Sequence, residues 1–259
     1  MIIAAAVCPG APWLLPGVAP QLAARASTIG TACQAAIRGL RGADRIVALV
    51  PARRWSVDAA AGRPARDVTA AGPGPDPTAH RLTVTRSDRG RGPVQDIGAA
   101  VVAHLLTAAG TAGPVTVVEV DDAARSSDDH PARPPSLDDP NVRTGVLVLA
   151  DGAAAHGPAA PGREDPRSAG WDRALAAALA GGDPAALAAA TAVDADPAPT
   201  DLLARVAGLR VLAAWTRGRP PARAAVLAQS APFGVGYVVA RWDWDDAAAR
   251  PDDGAGTSR

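Results

Sequence analysis

The chain has 259 residues, 48% of them apolar and 20% charged, with 26 basic side chains against 26 acidic ones. That length suits one well-packed α/β domain and is short for two. A formal charge of zero leaves no electrostatic footprint for nucleic acid or an anionic membrane.

All the basic residues are Arg, and the usual proton-transfer and metal-binding groups are scarce: four His, two Cys, and only Glu119 and Glu164 as glutamates. The opening MIIAAAVCPGAPWLLPGVAP is apolar, but it lacks a basic leader and is cut by Pro9, Pro12, Pro16 and Pro20. It therefore reads as a buried strand over Ile2–Cys8 rather than a signal peptide. No apolar run approaches the roughly 20 residues of a membrane span, so the expected setting is cytoplasmic. Cys8 and Cys33 have no CxxC spacing and read as two buried free thiols, with a disulfide or ligand role as the alternative.

Residues 21–40 carry Leu22, Ala26, Ile29, Cys33, Ala36 and Ile37 at helical spacing. RIVALV at 45–50 is a second buried strand, stopped by Pro51. A polar insert near 53–79 follows, then an alternating strand at 81–85, a helix at 94–109 and a strand at Val115–Val120. A second polar insert spans 121–143 and is expected to be poorly ordered. GVLVLA at 145–150 is a core strand that runs into a turn at Asp151-Gly152. Helices are expected at 169–180, 184–192 and 200–216. Asp183-Pro184 supplies an N-cap with proline at the first helical position, and Leu203, Val206 and Leu209 or Arg210 share a face of the last helix. Strands at 224–229 and 235–242 close a single domain over 1–244, and 245–259 is an acidic tail expected to be disordered.

Strands alternating with helices imply a three-layer α/β/α sandwich around a central, largely parallel or mixed sheet. Sites in such sheets form where loops leave the carboxyl ends of strands. Here those loops are 9–16, 51–55 and 151–162.

Nucleotide and hydrolase motifs are missing. No GxGxxG follows a strand, a Walker loop needs the absent Lys, and no GxSxG occurs. Ser230, His156 and Asp151 are formally a triad, but nothing puts Ser230 on a nucleophile elbow. Aromatics make up 3% and form no stacking array for single-stranded nucleic acid.

Three segments, AAVCPGAPWLLPGVA, VLVLADGAAAHGPAAPG and APFGVGYVVARW, lie in that order. Between the last two lies WDRALAAALAGGDPAALAA, an Ala/Leu helix pair joined by an aspartate-led turn. Together they resemble the class III extradiol ring-cleavage dioxygenases, in particular the subunit-B-like branch common in actinobacteria. The resemblance implies an α/β/α sandwich and opening of a catechol-type ring with Fe(II) and dioxygen. The iron would be held by two His and one carboxylate, with a further His as acid–base. It also implies a small aromatic ligand and a homo-oligomer.

Carried over by position, the resemblance leaves the iron ligands vacant. The first ligand should stand in an H-x-P turn, where this chain has Gly10-Ala11-Pro12. The second should follow the second strand, where Pro51-Ala52-Arg53-Arg54-Trp55 holds no His. For the carboxylate, 200–216 offers only Asp201 at its start. His156, in the turn Asp151-Gly152-Ala153-Ala154-Ala155-His156, matches the acid–base position; its alternative is a loop His retained by descent or chance. No cofactor is therefore expected, and Fe(II) only if the chain is an active oxidoreductase.

The remaining candidates each have two readings. Trp13 and Trp55 could line an aromatic pocket or pack beneath loops. Arg53 and Arg54 could bind an anionic group or be surface charge. Asp151 could meet a ligand or cap the turn it begins. His104 reads as a core residue of its helix, and His80 and His130 as solvated residues of the polar inserts. A metal site assembled from His80, His130 and His156 lacks any local ligand pair. Two functions follow: a non-catalytic descendant that keeps the fold to bind a ligand or pair subunits, or an active ring-opening oxidoreductase.

Overall fold

A computed structural model describes residues 1–52, 82–85, 97–111, 113–122, 133–134, 137 and 139–244. The insert near 53–79 and the tail at 245–259 lie outside the described residues, as does most of 121–143.

The strands are β1 (Ile2–Cys8), β2 (Arg45–Pro51), β3 (Leu82–Thr85), β4 (Val115–Val120), β5 (Thr144–Leu149), β6 (Arg223–Ser230) and β7 (Tyr237–Asp243). They form one sheet in the order β3-β4-β2-β5-β1-β7-β6. Neighbours from β3 through β1 run parallel, while β7 is antiparallel to both β1 and β6. The sheet is mixed, and helices cover both of its faces.

The all-apolar IIAAAVC of β1 needs two buried faces, and the sheet provides them. Ala4, Ala6 and Cys8 point toward α2 (Ser27–Arg38) and α3 (Ile97–Ala108), meeting Ile29, Cys33, Ile37, Val102 and Leu106. Ala5 and Val7 point the other way. There they join Leu175, Leu179, Leu187, Leu209 and Leu212 of α4 (Ser168–Gly181), α5 (Pro184–Thr191) and α7 (Ala207–Trp215). Three layers result, as the pattern implied. Cys8 and Cys33 are both buried and free, and the contact with Cys33, followed by burial, pushes the Cys8 thiol up.

Two expected helices are interrupted. The 21–40 helix is two, α1 (Pro20–Arg25) and α2, because Ala26 leaves helical geometry at φ −112° and ψ 23°. The 200–216 helix is likewise α6 (Ala198–Asp201) and α7, with residues 202–206 outside both. Here tertiary pairing overrides local propensity. Arg205 and Asp151 exchange both backbone hydrogen bonds as an isolated antiparallel bridge, which pulls Arg205 out of the helix. Leu203 turns the chain at φ 56°, the left-handed region that a side chain such as leucine rarely enters. It is 54% exposed, so it does not share the buried face of Val206 and Leu209. The Asp183 cap holds as expected, its carboxylate accepting the Ala185 N–H.

Candidate functional site

β2, β5 and β1 are adjacent and parallel, so their carboxyl ends open onto one place. A cavity of about 740 Å³ lies there. Gly10 to Trp13 line it after β1, Pro51 and Ala52 after β2, and Asp151 and Ala154 after β5. The described parts of the three loops singled out from the sequence, with only 51–52 of the loop at 51–55 among them, thus converge. The segment linking α6 to α7 closes another side with Thr200, Leu203, Ala204 and Arg205, and Tyr237 at the start of β7 completes the wall.

Its apolar side is built on Trp13, in a 3₁₀ turn at Pro12–Leu14. Pro12 sets the first residue of that turn, and Trp13 is buried with its Nε1–H donating to the Tyr237 hydroxyl over 3.2 Å. The two rings meet edge to face at 5.5 Å between centroids, and Phe233 packs similarly against Trp13 at 5.9 Å. Burial raises the pKa of Tyr237, so its hydroxyl stays protonated at neutral pH.

The polar side holds two carboxylates, both pushed up by burial but with different partners. Asp122, just past β4, is matched: Oδ1 accepts the Ala207 N–H at the start of α7 and Oδ2 meets Nε of Arg205 at 3.4 Å. Arg205 also donates to the Ala52 carbonyl, and Arg210 donates to the backbone carbonyls of Thr191 and Asp122. Asp151 is only 9% exposed. Its Oδ1 accepts the Gly10 N–H at 3.0 Å, the one side-chain hydrogen bond it makes among the described residues. Burial pushes its carboxyl up to about 6, against the pull of Arg205 and of the Gly10 N–H.

His156 is not in the cavity wall. Its Nε2 lies 2.6 Å from Oδ2 of Asp172 on α4, whose Oδ1 accepts the Ala153 N–H. Asp172 is wedged between Gly152 and Gly236, where a Cβ on either would collide with its carboxylate. The acid–base position of the resemblance is therefore tied to a clamp beneath the loop. His104 is half-buried on α3 and also outside the wall; burial lowers its proton affinity. Arg53 and Trp55, with Arg54, His80 and His130, lie outside the described residues. Of the expected pocket residues, Trp13 and Asp151 line the cavity, together with Gly10 from the vacant ligand position.

Sequence reasoning missed Tyr237, Arg205 and Asp122. Tyr237 is the sole tyrosine of the chain, and that rarity was the one available signal. Arg205 and Asp122 sit in segments that read as helix interior and disordered insert.

The donor set does not fit ferrous iron. A facial site needs two imidazoles and a carboxylate. Gly10 has no side chain to offer, Pro51 and Ala52 carry no donor group, and the turn before α7 presents cationic Arg205. Among the described residues no three His, Cys, Asp or Glu side chains gather to hold a metal. Also among them, no helix is long and apolar enough to cross a membrane. No protein-family model matches the sequence, and a search of curated proteins finds no match either.

Proposed function

We propose that this protein is a non-catalytic relative of the class III extradiol dioxygenases that uses its strand-end cavity to bind a small aromatic molecule without iron. The observation that carries the reading is the cavity itself. Its walls combine the Trp13–Tyr237 aromatic side with the Asp151 and Arg205 polar side, at the position where α/β sheets bind ligands. Gly10 stands where the resemblance calls for a ligating imidazole, and His156 is engaged by Asp172 rather than turned to a guest. Both features favour binding over ring opening.

Anaerobic titration with Fe(II), followed by catechol and dioxygen, tests the choice. The reading expects no stoichiometric iron and no catechol-dependent oxygen uptake, while the metal-free protein still binds catechol. One iron per chain with ring-opened product would establish the oxidoreductase instead. The resemblance further suggests a cytoplasmic homo-oligomer, and light scattering on the purified chain measures the oligomeric part.

A further inference from the structure

The charges around the cavity are unevenly matched. Asp122 and Arg205 face each other, and Asp122 has the Ala207 N–H as well. Among the described residues Asp151 has no ion-pair partner in contact, and Arg205 acts on it only through space. Asp151 is more than nine-tenths buried, Oδ1 takes the Gly10 N–H, and Oδ2 accepts no hydrogen bond from a described residue. Oδ2 stands 3.4 Å from where a Cβ on Gly10 would be, and both residues line the cavity. Burying a carboxylate with one oxygen unused is costly unless something is to complete it.

We propose that the guest of this cavity carries an ammonium group, seated on Oδ2 of Asp151 beside the Trp13 and Tyr237 rings. The inference rests on the reading of the cavity as a site for an aromatic guest and adds the chemistry of the guest's polar end. An ammonium has hydrogens to give and a charge to match, so its bond to a carboxylate is charge-assisted. Aromatic faces nearby add cation–π attraction without needing a hydrogen-bond acceptor. A neutral hydroxyl would satisfy the oxygen but leave the charge unmatched. An anionic guest would meet Arg205, already committed to Asp122 and the Ala52 carbonyl, and Arg210, already committed to the carbonyls of Thr191 and Asp122.

Proton linkage follows from the same contact. The groups around the Asp151 carboxyl are the Gly10 N–H, Arg205, Asp122 and Tyr237, and Arg210 also lines the cavity, donating to the Asp122 carbonyl. Since the carboxyl titrates at about 6, an ammonium should bind well at pH 7.5 and lose affinity toward pH 5.

Calorimetric titration with benzylamine and with benzyl alcohol, its neutral counterpart of similar shape, tests the proposal. Benzylamine should bind about tenfold tighter or better at pH 7.5, and lose that advantage at pH 5 and in Asp151→Asn. If the two bind equally, or if Asp151→Asn keeps the preference, the ammonium proposal is overturned while the aromatic-guest reading stands. If neither binds, both fall. Should Asp151→Asn not fold, the carboxyl carbon resonance of Asp151 in the unmodified chain decides. Saturating benzylamine must lower its titration midpoint, and an unmoved midpoint overturns the proposal.

Discussion

The Gly10 N–H donates to Oδ1 of Asp151 over 3.0 Å, joining the loop after β1 to the loop after β5. This contact fixes one carboxylate at the cavity wall with a side-chain-free position beside it. A Cβ on Gly10 would lie 3.4 Å from Oδ2 and 3.7 Å from the Leu149 Cβ, which is ordinary contact. Gly10→Ala should therefore change stability by less than about 1 kcal/mol, as chemical denaturation would measure. Gly10→Phe projects a ring from the same wall and should abolish guest binding while the fold persists.

Asp151 gives stability an unusual pH dependence. Its folded-state carboxyl lies at about 6 against an ordinary 3.8, so the folded state holds the proton more tightly than the unfolded one. Its contribution therefore improves as pH falls from 7 through 6 and levels off below about 4. A shift of that size corresponds to on the order of 3 kcal/mol. Asp151→Asn should accordingly be more stable than the parent at pH 7.5, by about 1–3 kcal/mol, and lose that margin near pH 4.5. Parallel urea melts at the two pH values measure it; an equal margin at both would contradict the assignment.

Gly236 and Gly152 close on the Asp172 carboxylate from two sides. Gly236→Ala must displace a buried side chain that holds both His156 and the Ala153 N–H. A loss of about 1–3 kcal/mol is expected. A thermal midpoint unchanged from the parent would show that α4 yields freely.

His156→Ala leaves the buried Asp172 carboxylate with one fewer partner, at a cost of about 1–3 kcal/mol. Affinity for a guest should stay within about twofold of the parent, because His156 is outside the cavity wall. A tenfold loss in binding with an unchanged melting curve would put the imidazole back in the site.

Tyr237→Phe removes the acceptor of the Trp13 indole N–H within the wall. The expected cost is about 1–2 kcal/mol. A change in the tryptophan emission maximum should accompany it, and spectra of the two proteins settle the point.

The strands and layers were legible because continuous apolar runs such as IIAAAVC and GVLVLA demand two buried faces, whatever their partners. The three converging loops followed from the same logic, since parallel strands must release their loops on one side. The break at 202–206 was not legible. Its cause is a backbone bridge between Arg205 and Asp151, and no local spacing reports a pairing across 54 residues of sequence. For the same reason Arg205 and Asp122 were unreadable as wall residues. His156 drew attention through its position in a resembling turn, but its partner Asp172 lies on a helix that reads as plain Ala/Leu packing.

The most direct test is calorimetric titration of the metal-free protein with an aromatic guest, benzyl alcohol, alongside the Gly10→Phe variant. Saturable binding at one guest per chain that disappears in Gly10→Phe is the predicted result. Absence of binding to the parent chain by benzyl alcohol and benzylamine alike, or equal binding to Gly10→Phe, would contradict the account.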